Sequence, residues 1–115
     1  MIAHVILFSP RPELTQGARR ALLEALVAAS VQIPSIRKFR VGRRVKHGLP
    51  GYEQMMRDDY DFAAIIEFDD LDGLTSYLAH PSHEAIGRHF MVSASRSLAY
   101  DYALVDAADV GQLID

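Results

Sequence analysis

One stretch of the chain concentrates residue types that move protons: Tyr77-Leu78-Ala79-His80-Pro81-Ser82-His83. Pro81 imposes a bend and places His83 in the first turn of a helix, where the positive end of the helix dipole disfavours imidazolium. A neutral imidazole at pH 7 is a general base. Tyr77 precedes the bend by one turn, with a hydroxyl to offer a carbonyl oxygen in the same space. A competing reading makes His80 and Ser82 turn and cap residues and His83 an interfacial side chain. Two more polar residues interrupt apolar strands. His4 shares its parity with Ile6 and Phe8, and is either a hydrogen-bonded core histidine or a pocket-lining group. Asp101, within Ala99-Tyr100-Asp101-Tyr102, is either solvated or turned inward; turned inward, it needs a partner and can orient a His or Tyr.

Other chemistries find less support. The chain has no Cys, which removes thiol nucleophiles, disulfides and zinc–thiolate sites together. His80, His83 and His89 do not share one helical face and no carboxylate falls at ligand spacing, so no metal site is expected. No phosphate-cradling glycine loop and no nucleophile elbow occur. Twelve basic against fifteen acidic residues leave a formal charge of −3, so nucleic acid is not an expected partner. No apolar run approaches the roughly 18 residues that span a bilayer, and the N-terminus lacks a basic signal-peptide region, so a soluble cytoplasmic protein is expected.

The elements that must position these residues follow from periodicity. Residues 2–8 are apolar except for His4 and read as a first strand. Pro12-Glu13 is placed to open a helix, with Leu14, Ala18, Ala21, Leu22, Ala25, Leu26 and Ala29 on one face until Pro34. Residues 36–45 favour a strand whose four Arg and one Lys are either an anion patch or, more plainly, a solvated edge that resists unwanted pairing. Residues 46–59 form a long loop with a helical turn near Tyr52–Met56; Tyr52, Met55 and Met56 either cover a pocket or tuck the loop down. Residues 60–68 are the clearest strand, with Tyr60, Phe62, Ala64, Ile66 and Phe68 on one face. Asp69-Asp70 caps a short helix through Leu71, Leu74 and Leu78; Pro81 ends it and Ser82 caps the next, running to about Ser95. Residues 98–105 make the last strand, and 106–115 a loose tail after a domain of residues 1–105.

The order β-α-β-β-α-β is that of a ferredoxin-like α+β protomer with both helices on one face of an antiparallel sheet. The other face would then leave Ile6, Phe8, Phe62, Ala64 and Ile66 in water, which predicts an isologous homodimer closing two sheets into a barrel. Those five side chains, with His4 and Asp101, would line an apolar cavity for a small carbonyl-containing ligand.

The sequence resembles the stress-responsive dimeric α/β-barrel (Dabb) family over about residues 2–105. The resemblance is carried by His4-Val5-Ile6-Leu7-Phe8, Gly42, the Tyr60…Phe68 strand running into Asp69-Asp70-Leu71, the Tyr77-x-x-His80-Pro81-x-His83 turn and Asp101-Tyr102. It implies the same fold, a homodimer, and no cofactor. The family includes the plant polyketide cyclase that forms olivetolic acid by aldol condensation. By that resemblance His83 abstracts a proton alpha to a carbonyl and Tyr77 polarises the carbonyl, with His4 and Asp101 at pocket positions. Phe62 stands where that cyclase has a His, and the 46–59 loop is longer. The alternative is a non-enzymatic, stress-responsive homodimer in which these polar groups satisfy one another. Haem-degrading relatives of the barrel typically use a Trp, which this chain lacks.

Overall fold

A computed structural model describes residues 1–114. Four strands, β1 (Ile2–Pro10), β2 (Lys38–Arg43), β3 (Phe62–Phe68) and β4 (Ala94–Ala103), form one sheet in the order β2-β3-β1-β4. All three pairings are antiparallel. The helices are α1 (Gln16–Gln32), α2 (Leu71–Ala79) and α3 (Pro81–Ser93). The ferredoxin-like order is therefore as expected, with its second helix divided by Pro81 into α2 and α3.

Local chemistry explains the boundaries and corrects two of them. α1 starts three residues after Glu13, because the Thr15 hydroxyl accepts from the Ala18 amide at 3.1 Å and satisfies an orphan donor that Pro12 cannot. Asp70 caps α2 as anticipated, accepting from the Gly73 amide at 2.9 Å. For α3 the cap is His80 rather than Ser82. His80 Nδ1 accepts from the Ser82 amide at 3.1 Å, and the Ser82 hydroxyl instead donates to Gln32 Oε1 at 2.5 Å. Pro81 at the first helical position has no N–H to leave unpaired. The tail is more ordered than expected: Ala107–Leu113 is 3-10 helical with a kink at Asp109, following a bond from the Leu104 amide to the Met1 carbonyl.

The core joins the sheet to the helices. Ile6, Phe8, Ala64, Ile66 and Phe68 pack with Leu22, Leu26, Ala29, Ile33, Leu74, Tyr77 and Ile86. Here the sequence-based assignment of faces is reversed. Ile6, Phe8, Ala64 and Ile66 are buried against the helices, with Phe62 at their margin, and none of these lies on the uncovered face. The even-numbered side chains of β1 and β3 carry the bulkier apolar groups, and the larger payload goes under the helices. The uncovered face is built from the odd positions of those strands together with even positions of β4. Val5, Leu7, Ala63, Ile65, Leu98, Tyr100 and Tyr102 make it up, with Ile65 38 %, Tyr100 57 % and Tyr102 52 % exposed. An apolar sheet face remains open, made of different residues. β2 is an edge strand, as its charges suggested, and Lys38 and Arg40 stand on the open face beside Glu67 and Ile65. No helix among the described residues is long and apolar enough to cross a membrane.

Candidate functional site

His4 lies in the middle of β1, paired across the sheet with Ile66 on one side and Asp101 on the other. This register sets His4 and Asp101 side by side on the helix-facing side. His4 Nδ1 is 2.5 Å from Asp101 Oδ1, with His4 buried and the Asp101 side chain 42 % exposed. Asp101 thus takes the inward alternative left open by alternation and holds the imidazole in one orientation.

Tyr77, in the last turn of α2, projects into the same region and is wholly buried. Its ring is surrounded by Phe68 at 5.2 Å, His4 at 5.4 Å and His83 at 4.8 Å between centroids. Its hydroxyl is buried with no hydrogen-bond partner among the described residues. Burial, reinforced by the charge of Asp101, pushes the phenol pKa well up, so the hydroxyl stays protonated and available as a donor. His83 is in the first turn of α3 and half-buried, its amide bonded to the His80 carbonyl at 2.9 Å. Its pKa is lowered, first by burial and then by the neighbouring His4, against opposing effects of the Leu78 carbonyl and Glu84. The expected direction is present, with desolvation as its main cause.

The Tyr–bend–His sequence and two distant strands therefore meet in one cluster. Tyr77 and His83 face each other, and the oriented His4–Asp101 pair closes the far side. Of the apolar residues expected to line a cavity, Ile66 neighbours His4 in the register, whereas Phe8 stacks on Phe62 and meets Phe90 edge-on. Phe68, which packs on Tyr77, was absent from the candidates although its parity with Ile66 pointed to the same side. His80 is committed to capping. Met55 and Met56 are exposed, and Met56 lines a cavity of about 380 Å³ with Leu7, Ala63 and Leu98 whose lining includes neither Tyr77 nor His83.

A four-stranded antiparallel sheet backed by helices on one side, with a His–Tyr–His cluster between the layers, defines a ferredoxin-like α+β protein. Residues 2–104 match the family model for the Stress Responsive A/B Barrel Domain, and the chain belongs to that family. Among solved structures it is similar to a dimeric ferredoxin-like protein of unknown function from Bacteroides fragilis, with 26% identity and a TM-score of 0.65 over 90% of this chain and 95% of that one. A Dabb-family protein from Mesorhizobium loti shows 22% identity and a TM-score of 0.71, with 90% and 96% of the chains covered. Hydroxynitrile lyase from Passiflora edulis shares the fold at 9% identity, with a TM-score of 0.78 over 92% and 94%. No curated protein matches the sequence.

Proposed function

We propose that the chain is an acid–base enzyme acting on a small apolar carbonyl compound with its own side chains alone, in the manner of the cyclases of its family. The carrying observation is the Tyr77 hydroxyl: buried, protonated and without a hydrogen-bond partner among the described residues, on a ring packed between His4 and His83. A carbonyl oxygen accepting from it would place the alpha carbon near the His83 imidazole. His83 would take the alpha proton, the C–H electron pair would pass into the C–C bond, and the carbonyl pair would pass to oxygen. Tyr77 would hydrogen-bond the enolate so formed. In a cyclase the enolate carbon then attacks a second carbonyl of the same substrate, and the new alkoxide is protonated. Asp101 fixes His4 as the wall of the site opposite His83. Ile66, opposite His4 in the register, belongs to the apolar side of the sheet beneath it, whereas Phe8 and Phe62 pack further along the sheet with Phe90.

The active assembly is a homodimer built on the open sheet face, whose exposed Ile65, Leu98, Tyr100 and Tyr102 match the dimeric state described for the Bacteroides fragilis relative. The second reading is a non-enzymatic dimer, favoured by the His4–Asp101 contact in which two of the polar groups satisfy each other. Deuterium exchange at the alpha carbons of 2-heptanone in D₂O, followed by NMR, separates the two. The enzyme reading expects exchange above the buffer rate and a loss of about 100-fold or more in His83→Asn. Exchange at the buffer rate with the native protein would overturn it.

A further inference from the structure

Two cavities meet at the corner where the start of α1 faces the ends of β2 and β3. One, of about 260 Å³, has Pro10, Leu22, Leu23 and Phe62 in its lining. The other, of about 430 Å³, is lined by Arg19, Arg43, Arg44, Lys46, Asp61 and Phe62. Arg19 and Phe62 border both, so an apolar cleft opens directly into a cationic one.

The cationic half is more than a solvated edge. Arg43 pairs across the sheet with Phe62 and so, by alternation, sits on the helix-facing side, opposite to Lys38 and Arg40. Edge protection therefore accounts for Lys38 and Arg40 and leaves Arg43 unexplained. Arg19 is pre-positioned: its Nη2 donates to the carbonyls of Arg11 and Pro12, and its Nε to that of Leu14, each at 3.4 Å. Among the described residues neither Arg19 nor Arg43 has a carboxylate partner, whereas Asp59 takes Lys46 at 2.9 Å and Arg44 at 3.7 Å. With Asp59 and Asp61 both counted, two positive charges at this corner stay unneutralised on a chain whose net charge is −3. A guanidinium group binds carboxylate through paired N–H donors.

We infer that this corner is a binding site for an amphiphilic carboxylate, its hydrocarbon chain in the Leu22–Leu23–Phe62 cleft and its carboxylate on Arg19 and Arg43. The site goes beyond the carbonyl chemistry proposed above and uses none of Tyr77, His83 or His4. Titration of the full chain with octanoate and, separately, octan-1-ol, followed by amide NMR shifts, tests it. Octanoate should bind about tenfold tighter than the alcohol, shifting Leu22, Leu23 and Phe62, with affinity falling as salt is raised. Arg43→Gln should remove about that tenfold and leave octan-1-ol binding unchanged. Among the described residues the Arg43 side chain makes no hydrogen bond or ion pair that the fold uses, and Arg19→Lys, which keeps the charge and loses the fork, should give an intermediate loss. Equal binding of the two probes, binding of neither, or octanoate affinity unaltered in Arg43→Gln would each overturn the inference. The readout is binding, so any of those results leaves proton exchange by His83 standing.

Discussion

Replacing Tyr77 with Phe should stabilise the protein while removing the proposed chemistry. The Tyr77 side chain is 0% exposed, and its hydroxyl has no partner among the described residues. A buried hydroxyl without a hydrogen bond costs about 1–3 kcal/mol relative to water. Tyr77→Phe keeps the ring and its contacts with Phe68, His4 and His83, and deletes only the uncompensated group. Against the gain stands the small void left by one oxygen, which forfeits a few dispersion contacts of about 0.1–0.2 kcal/mol each. The net expectation is a gain of about 1 kcal/mol, equivalent to a rise in Tm of about 3–6 °C for a domain of this length. Thermal unfolding by circular dichroism, checked by a shift in urea midpoint at constant m-value, measures it. Heptanone exchange in the same variant should fall with the loss of the donor, by about 100-fold. A Tyr77→Phe protein destabilised by about 1 kcal/mol or more would show that the hydroxyl is satisfied in the resting protein. That result would favour the structural dimer and remove the main support for the enzyme.

Two further outcomes follow from the same geometry. Because burial lowers the His83 pKa below its ordinary 6.5, the unfolded chain binds a proton at that residue more readily than the folded one between the two values. Stability should therefore be fully present above about pH 6.5 and decline as pH falls toward the folded pKa; the urea midpoint of His83→Asn should decline less over that range, and an equal decline would refute the assignment. Ile65→Arg, at the centre of the open sheet face, should convert the proposed dimer to a monomer in sedimentation at micromolar concentration, with the fold retained by circular dichroism, since a buried unpaired charge opposes association. An unchanged sedimentation coefficient would place the dimer contact elsewhere.

Element order was legible in the sequence because the punctuation is local. Pro34, Asp70 and Pro81 act within a few residues of themselves, and their effects are readable without a tertiary structure. The orientation of the sheet was not. Alternation shows that His4, Ile6 and Phe8 share a face, and separately that Phe62, Ala64 and Ile66 do, yet both sides of β1 and β3 are apolar enough to be covered. Which side meets the helices depends on total packing volume across elements far apart in sequence, and no single strand encodes it. The same limit applies to His80 and Ser82. Both are competent caps, and the choice turns on Gln32, which draws the Ser82 hydroxyl away from a distance of fifty positions along the chain. Asp101 was undecidable from alternation and is decided by register, since only the pairing of β1 with β4 sets it opposite His4.

The reversal of faces strengthens the chemical reading. Had His4 stood on the open face, water or a partner's backbone would readily have satisfied it, and Tyr77 and His83 would have been separated from it by the thickness of the sheet. On the helix side the half-buried His83 ring adjoins the buried Tyr77, which adjoins His4, and among the described residues only His4 of the three has a carboxylate partner. Packing alone does not ask for this. Phe in place of Tyr77 fills the same volume between Phe68 and His83 without stranding a hydroxyl, and an apolar residue in place of His4 removes the need for Asp101 in a strand. A core that retains the costlier side chains at adjoining positions carries free energy that a ligand can recover by accepting from Tyr77, and a carbonyl oxygen is the acceptor whose chemistry the neighbouring neutral imidazole can use.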